Sequence, residues 1–320
     1  MNRTIRWGIL GCARIARLHF IPALQRCADA VLQGVASRDP AKLGEFRQLF
    51  GSGFTAHDTY EALLAAPDID AVYIPLPNAL HCEWAIRALQ CGKHVLCEKP
   101  LALDAAQGER MFAAARANDR LLMEAFMYRY TARLQTVERI LENGTLGEIR
   151  SINSTFRFFL DRANTIKENP DLGGGALYDV GVYPLSLIGL ALPADPIDVQ
   201  ATCTRVHGID NNLSALLRYE SGAIASLHCG FNAFGRMHSE SIGTTGALLI
   251  PDTFLDDAGE IILQTKAGSE RIPVPASDRY AAEILDFSAA IRENQTPKVR
   301  PDESLRTLRI LDRLHAALKA

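Results

Sequence analysis

Two hydrophobic patterns alternate along roughly the first 120 residues of the chain. Short apolar runs rich in β-branched residues are separated by longer stretches whose apolar positions recur with helical spacing. The runs predict strands at 5–10, 31–36, 71–74 and 94–97, and the stretches predict helices at 14–27, 40–50, 59–66, 79–91 and 105–117. Because parallel neighbouring strands are usually joined by a helix, this alternation predicts a doubly wound parallel sheet.

The pattern changes after residue 147. Alternating apolar and polar positions predict strands at 151–159, 199–206, 213–219, 223–231 and 239–243. Short turns such as 220–222 and 244–246 join several of them, so we expect an open, mainly antiparallel sheet. Helices are predicted at 177–191, 279–293 and 302–319.

The change of pattern predicts two domains, which is the number that 320 residues favour. We expect an α/β protein with a doubly wound domain over 1–122 and a second α/β domain over 123–300. A terminal helix over 301–320 is expected to pack back on the first domain.

Composition and charge exclude several classes of protein. Apolar residues make up 48% and charged residues 22%, as in ordinary globular chains. The net charge of −3 argues against nucleic acid and anionic membrane surfaces as partners. The seven cysteines include no CxxC pair, so no metal site is predicted. The longest apolar stretch, 185–192, is shorter than the roughly 20 residues that span a bilayer. We expect reduced thiols, a cytoplasmic location and a small-molecule partner.

The first candidate site follows the first predicted strand. Small residues there let the backbone approach a pyrophosphate, whose charge is met by N–H groups and by the helix dipole. Gly11 makes the turn, while Ala13 and Ala16 stand where GxGxxG has its later glycines. The predicted dinucleotide contacts are Gly8, Gly11, Cys12, Ala13, Arg14 and Ile15. The alternative is a turn whose small residues serve helix packing.

The residues after the second predicted strand distinguish between two cofactors. An acidic residue at this place binds the ribose 2′-hydroxyl of NAD. This chain has Ser37 and Arg38, which suit a 2′-phosphate, so NADP is favoured over NAD. Asp39 precedes a proline and is expected to cap the next helix. A solvated surface arginine is the alternative interpretation of Arg38.

Three further residues are candidates for catalysis. Lys99 follows the run 94–97 and lies at the carboxyl edge of the predicted sheet, where doubly wound folds bind ligands. Asp179 and Tyr183 are four residues apart in a predicted helix, so they project from one face. The alternatives are a surface lysine, a capping aspartate and a tyrosine packed in the core.

Four segments together resemble the Gfo/Idh/MocA oxidoreductases, a family named after glucose-fructose oxidoreductase and inositol dehydrogenase. These segments are 11–16, 73–81, 98–100 and 173–183. The resemblance implies an N-terminal Rossmann domain that binds a nicotinamide cofactor. It also implies a homodimer or a dimer of dimers that forms through the open C-terminal sheet. Its catalytic group would be Lys99, commonly with a cis bond to Pro100, together with Asp179 and Tyr183.

The resemblance extends the set of site residues. It adds to the cofactor site Pro75, Leu76, Pro77, Asn78, His81, Glu98 and Lys99. Tyr183 and the segment 123–129 are similar to the branch with glucose-fructose oxidoreductase, dihydrodiol dehydrogenases and NADP-dependent xylose dehydrogenases, which places Met127 and Tyr128 in the substrate pocket. The loop 156–172 is expected to select the substrate. Its polar residues Arg162, Asn164 and Lys167 either contact sugar hydroxyls or are simply exposed.

We therefore expect an NADP-dependent oxidoreductase that acts on a secondary alcohol, hemiacetal or carbonyl of a sugar or polyol. Tyr183 is the preferred proton donor, Lys99 is the alternative donor, and Asp179 orients the lysine or the substrate hydroxyls. Two other functions stay open. One is an NAD-dependent glycosidase-like enzyme that uses transient oxidation, and the other is a non-catalytic NADP-binding sensor.

Overall fold

The computed structural model describes residues 3–162 and 165–319, which form two compact units. The first unit comprises the chain up to Ala102 and the segments Ala106–Met127 and Asp278–Pro301. The second comprises Leu103–Ala105, Tyr128–Ser277 and the chain from Asp302 onward. Each unit is built around its own sheet.

The sheet of the first unit has six parallel strands. They are β1 (Ile5–Leu10), β2 (Ala30–Ala36), β3 (Thr55–His57), β4 (Ala71–Ile74), β5 (His94–Glu98) and β6 (Leu122–Ala125). Their order is β3-β2-β1-β4-β5-β6, and every neighbouring pair is parallel. This is the order of doubly wound dinucleotide-binding folds, so the predicted fold class of this part of the chain is confirmed.

Helices connect these strands, and a side chain caps the start of some of them. They are α1 (Ile21–Leu24), α2 (Pro40–Phe50), α3 (Tyr60–Ala65), α4 (His81–Gln90) and α5 (Ala105–Ala117). Asp39 accepts the backbone N–H of Ala41 at the start of α2, as predicted. A π-helical turn over Ala16–Phe20 leads directly into α1. Such π-helical turns are frequent at functional sites.

The second unit contains an eight-stranded sheet in the order β14-β13-β12-β11-β7-β10-β9-β8. The strands are β7 (Ile149–Phe159), β8 (Asp198–Val206), β9 (Ile209–Arg218), β10 (Ile224–Gly230), β11 (Asn232–Gly243), β12 (Gly246–Pro251), β13 (Gly259–Thr265) and β14 (Gly268–Val274). The pair β7 and β10 is parallel, while the other neighbouring pairs are antiparallel. The predicted mainly antiparallel sheet is therefore confirmed.

Two helices of the second unit follow irregular helical turns. Helix α6 (Ala132–Glu142), which the sequence analysis does not predict, follows a 3-10 turn over Met127–Tyr130. Helix α7 (Val182–Ala191) follows a π-helical turn over Leu177–Gly181. This turn and α7 both contact β7 and β10. The π-helical turn carries Asp179, so the second predicted catalytic segment also contains irregular helix.

Helix α8 (Arg279–Glu293) belongs to the first unit, whereas the predicted boundary at 300 places it in the second. Phe287 packs against Trp7 at 5.9 Å between ring centroids, and Arg292 forms an ion pair with Asp29 at 2.6 Å. These contacts cover one side of the first unit's core. A boundary drawn from changes in pattern along the chain does not detect such a return.

Helix α9 (Pro301–Ala317) groups with the second unit from Asp302 onward. The packing of 301–320 on the first domain stays a prediction. Arg309 forms an ion pair with Asp195 at 2.9 Å, and the ring of His315 lies 4.7 Å from that of Tyr178. These contacts join α9 to other segments of the second unit.

The segment Pro170–Ala191 is long and apolar enough to be compared with a membrane span. The segment has 22 residues, and an 18-residue window within it has a mean hydropathy of 1.2, with 61% of that window buried inside the structure. The sequence analysis gave 185–192 as the longest apolar stretch. In the structure the helix extends further towards the amino terminus, because it continues through Pro184, the third residue of α7. Its contacts with β7 and β10 and its burial are those of a core helix.

Candidate active site

The turn after β1 has the backbone geometry that a phosphate-binding loop requires. Gly11 has a φ of +99°, a region that favours glycine, and its N–H donates to the carbonyl of Ala36 at 2.8 Å. A Cβ at this position would lie 2.9 Å from a methyl carbon of Leu76. Arg17 N–H donates to the Ala13 carbonyl at 3.1 Å, so the N–H groups just before it start the helix without intrahelical acceptors. Such groups bind pyrophosphate oxygens.

Two other residues of the predicted loop have local structural roles. A Cβ on Gly8 would lie 2.7 Å from the Leu63 side chain, so glycine is needed there for packing. Cys12 is half-buried, and burial raises the pKa of its thiol to about 11 despite a hydrogen bond with Ser37. The thiol is therefore neutral near pH 7, and it adds no negative charge beside the loop.

The end of β2 presents a cation rather than a carboxylate. Arg38 is exposed, and its guanidinium lies 5.4 Å from the centroid of the Tyr60 ring. Asp39 is engaged in capping α2, and its backbone N–H donates to the Ser37 hydroxyl at 3.1 Å. A ribose 2′-phosphate needs a cation and hydroxyl donors. These residues fit NADP, and Arg38 and Ser37 are the groups that would hold its 2′-phosphate.

The segment after β4 is joined to the segment after β5 by a buried histidine. His81 is 0% exposed, and its two ring nitrogens lie 2.8 Å from the carbonyl oxygens of Leu76 and Pro100. Only an imidazolium donates from both nitrogens. Burial, aided by the charge of Lys99, lowers the pKa of His81, so we assign a neutral ring that donates to one of the two carbonyls. His81 therefore positions backbone at this edge of the sheet.

Lys99 lies directly after β5, and its peptide bond to Pro100 is cis, as the family resemblance implies. The side chain is half-buried. The neighbouring carboxylate of Glu98 accepts a hydrogen bond from the Tyr73 hydroxyl at 2.5 Å. The Leu101 N–H donates to the buried carboxylate of Glu124 at 2.9 Å. Carboxylates therefore hold the chain on both sides of Lys99.

A second acidic residue is buried near Glu98. Glu283 of α8 is 1% exposed, and its Oε1 has no hydrogen-bond partner among the residues that the structure describes. Burial, together with the charge of Glu98, raises the pKa of Glu283 well above its usual range, although Arg279 acts in the opposite direction. Burial therefore favours the neutral form of this carboxyl group. No local pattern in the sequence signals this contact, because α8 joins the first unit from a distant part of the chain.

The second unit presents Asp179 on the π-helical turn that follows the glycine run. The Asp179 N–H donates to the carbonyl of Gly175 at 3.1 Å. Its Oδ2 accepts a hydrogen bond from Nζ of Lys167 at 2.5 Å, in a pair with side chains 17% and 29% exposed. From the sequence, Lys167 either contacts sugar hydroxyls or is simply exposed. In the structure it pairs with the carboxylate of Asp179, a candidate catalytic residue.

Asp210, a residue of β9, caps the start of the helical turn that carries Asp179. Its carboxylate is buried and accepts the N–H of Leu177 at 2.7 Å. Gly175 has a φ of +122°, and a Cβ there would overlap the Asp210 carboxylate. Burial raises the pKa of Asp210 to about 6, although the backbone hydrogen bonds lower it. The sequence analysis does not identify Asp210.

Tyr183 lies in α7 and is enclosed by three aromatic rings. The ring of Tyr183 lies 5.1 Å from Phe156, 5.4 Å from Phe254 and 5.5 Å from Tyr128 between centroids. Tyr128 is 0% exposed, and its hydroxyl donates to Ser186 at 2.8 Å. The sequence predicts Tyr128 in the substrate pocket, whereas the structure buries it against Tyr183.

The other predicted substrate contacts are spread over two segments. Met127 is half-buried at the start of its 3-10 turn, and Arg162 is exposed. Asn164 lies outside the described residues. Within 3–162 and 165–319, no cluster of three histidine, cysteine or acidic side chains could hold a metal ion.

The chain matches two sequence profiles of one family. The first, described as an oxidoreductase family with an NAD-binding Rossmann fold, matches residues 5–126. The second, the GFO/IDH/MocA C-terminal domain, matches residues 134–249. Together they cover more than half of the chain.

Characterised relatives match over almost their whole length. A dTDP-3,4-didehydro-2,6-dideoxy-alpha-D-glucose 3-reductase of Actinomadura kijaniata is 37% identical, with 96% of this chain and 94% of the relative covered. A D-xylose 1-dehydrogenase (NADP(+)) of Haloferax volcanii is 36% identical, with 97% and 96% covered.

A solved structure has the same fold throughout. KijD10, a 3-ketoreductase from Actinomadura kijaniata crystallised with NADP and TDP-benzene, superposes with a TM-score of 0.91. The sequences are 35% identical, and the match covers 99% of this chain and 98% of KijD10. Further structures of KijD10 carry a tyrosine-to-phenylalanine or a lysine-to-alanine replacement. By its sequence and by its fold, this chain belongs to the Gfo/Idh/MocA family of oxidoreductases.

Proposed function

We propose that this chain is an NADP-dependent enzyme that transfers a hydride between the nicotinamide and an alcohol, hemiacetal or carbonyl carbon of a sugar or polyol. One observation carries the proposal. Gly11 and Lys99 follow the carboxyl ends of β1 and β5, two strands of one parallel sheet that only β4 separates. Doubly wound sheets bind dinucleotides at this edge. The names of both curated relatives describe reactions of sugars.

The cofactor contacts follow from the first unit alone. The N–H groups of residues 12–15 hold the pyrophosphate, while Ser37 and Arg38 hold the 2′-phosphate. His81 lies between backbone carbonyls of two neighbouring segments at the same edge and donates a hydrogen bond to one of them. When bound, the nicotinamide supplies or accepts the hydride.

The protein side chains handle the proton that accompanies this hydride. In the reducing direction the carbonyl carbon gains the hydride, and the carbonyl oxygen gains a proton from the Tyr183 hydroxyl. Lys99 Nζ is the alternative holder of that proton. The Asp179 carboxylate orients a substrate hydroxyl by accepting its hydrogen bond. The KijD10 variants support this choice, since a lysine and a tyrosine were the residue types replaced in that enzyme.

We infer that the chain assembles as a homodimer or a dimer of dimers through the sheet of the second unit. Large apolar side chains on these strands are exposed to solvent, among them Leu216 and Phe234 at 50% and 92%. Exposed apolar patches of this kind mark interaction surfaces. We also infer that it works in the cytoplasm, where thiols stay reduced. Among the residues that the structure describes, no two cysteines are joined by a disulfide.

The function is tested by initial rates with NADP and NAD against aldoses, polyols, ketosugars and diketones, followed by nicotinamide absorbance. We expect turnover of at least one sugar or polyol, with kcat/KM at least about 10-fold higher for NADP. Tight NADP binding with no turnover across the panel would support the sensor instead. Turnover by copurified cofactor without a net absorbance change would support transient oxidation.

A further inference from the structure

Lys167 and Asp179 form an ion pair in which both side chains are largely removed from solvent. The distance from Lys167 Nζ to Asp179 Oδ2 is 2.5 Å, and the side chains are 29% and 17% exposed. Such a pair is screened less by water and salt than one between exposed side chains. The pair joins the substrate-facing loop predicted at 156–172 to the helix of Asp179.

Aromatic rings restrict where the ammonium group can lie. Lys167 Nζ is 4.9 Å from the centroid of the Phe158 ring and 6.0 Å from that of Phe231. A cation is attracted to the face of an aromatic ring at such distances. The ammonium is therefore held by two rings in addition to the carboxylate of Asp179, which distinguishes Lys167 from a freely rotating surface lysine.

The main chain holds the same two segments together. The Lys167 carbonyl accepts the N–H of Gly175 at 2.9 Å, and the Asn169 carbonyl accepts the N–H of Gly174 at 2.9 Å. A Cβ on Gly174 would lie 2.6 Å from the Lys167 carbonyl oxygen, so the approach requires glycine. The backbone of Lys167 is thereby fixed against the glycine run that opens the helix of Asp179.

Two titratable groups on the neighbouring strands, Cys229 and Asp210, carry no positive charge that could pair with Asp179. Cys229 of β10 is buried, and burial, with smaller contributions that include Asp179, raises the pKa of its thiol well above the usual range. Asp210 of β9 is acidic, and it caps Leu177. The Lys167 ammonium, by contrast, is a cation in direct contact with the Asp179 carboxylate.

We propose that Lys167 is a positioning residue that acts through Asp179, fixing the orientation of its carboxylate and keeping it ionised for contact with a substrate hydroxyl. This inference rests on the proposed catalytic role of Asp179. It assigns a function to one side of the substrate loop, and it predicts that the contributions of Lys167 and Asp179 to catalysis are not independent.

A double-mutant cycle tests the proposal. We expect Lys167→Met to lower kcat/KM for the sugar about 10-fold or more, with NADP affinity measured by fluorescence titration unchanged. In an Asp179→Asn background, the same replacement is expected to change kcat/KM by less than about 2-fold. Lys167→Arg, which keeps the charge, is expected to recover most of the activity. Loss of the cation is also expected to move the acidic limb of the kcat/KM profile of Lys167→Met to higher pH.

The control is Arg309→Met, which breaks an ion pair of similar length with Asp195 in the same unit and is expected to leave kcat/KM unchanged. Equal losses from Lys167→Met in the wild-type and Asp179→Asn backgrounds would overturn the proposal while leaving the proposed function intact. Undiminished activity of Asp179→Asn would refute the role of Asp179 and this inference with it. If Lys167→Met fails to fold, Lys167→Gln takes its place in the cycle.

Discussion

The backbone N–H of Leu177 donates to the carboxylate of Asp210 at 2.7 Å, although 33 residues separate them in the sequence. A helix leaves its first N–H groups without intrahelical acceptors, and a buried acceptor at this point fixes where the helix begins. Asp179 and Tyr183 follow within the same helical segment. The cap on Leu177 therefore determines the position of both candidate catalytic side chains relative to the second sheet.

Replacing Asp210 with asparagine should change how stability depends on pH. Burial raises the pKa of Asp210 to about 6 from an ordinary value of 3.8, so the folded protein binds the proton more tightly than the unfolded chain. The stabilisation from this group is fully present below about pH 4 and is lost as pH rises through about 6. We expect wild type to lose roughly 3 kcal/mol relative to Asp210→Asn across that interval. Urea unfolding at several pH values measures the difference, and parallel curves for the two proteins would contradict it.

Gly175→Ala should destabilise the protein and reduce activity. Its φ of +122° disfavours a side chain, and the added Cβ would overlap the Asp210 carboxylate. We expect a loss of at least about 2 kcal/mol in the free energy of unfolding. Gly44→Ala is the matched control, because Gly44 lies inside α2 with open space around its Cβ position. That control should be neutral or stabilising by up to about 1 kcal/mol. Similar melting temperatures for both variants would refute the steric argument.

Arg38→Asp should reverse the cofactor preference. The variant removes the cation proposed to hold the 2′-phosphate and supplies a carboxylate that can bind a ribose 2′-hydroxyl. We expect kcat/KM for NADP to fall about 100-fold and that for NAD to rise. Lys42→Met, which removes an exposed cation from the neighbouring helix α2, is the control. An unchanged ratio of the two cofactors in Arg38→Asp would show that the 2′-phosphate is held elsewhere.

The variant Tyr183→Phe distinguishes the contribution of the Tyr183 hydroxyl from that of its ring. Phenylalanine keeps the contacts with Phe156, Phe254 and Tyr128, so the melting temperature should stay close to that of wild type. Without the proton donor, kcat should fall by about 100-fold or more, with little change in NADP affinity. If Lys99→Met abolishes turnover while Tyr183→Phe keeps full activity, Lys99 is the donor.

Phe234→Glu should weaken the proposed assembly. The Phe234 side chain is 92% exposed, and a carboxylate at its place would have to be desolvated in an apolar interface. We expect the variant to sediment as a smaller species than wild type at equal concentration. Leu49→Glu, at a 56% exposed position on α2 in the first unit, should leave the sedimentation unchanged. Identical profiles for wild type and Phe234→Glu would place the interface on another surface.

Local signals in the sequence account for much of the first unit. The bounds of α2 and α5 match the prediction, and Asp39 caps α2 as its place before a proline indicates. The turn at Gly11 also agrees with the local pattern, whereas the cis bond between Lys99 and Pro100 agrees with what the family resemblance implies. Strands β3 and β6 were missed because their sequences, TAH and LMEA, lack the apolar β-branched residues that identified the similarly short β4.

Non-local contacts account for what the sequence did not predict. Strand β14 is exposed along most of its length, so it lacks the alternation that identifies a strand. Lys167 could be named from the sequence, but its pairing with Asp179 depends on how the loop closes against the glycine run. Asp210 reaches its helix from a different strand, and no spacing rule connects the two.

The return of α8 to the first unit affects how the polypeptide folds during translation. Two residues near the amino terminus, Trp7 and Asp29, contact Phe287 and Arg292 of α8. Nascent chains usually fold from the amino terminus as they leave the ribosome. Part of the apolar surface of the first sheet therefore stays uncovered until α8, near the end of the polypeptide, has been synthesised.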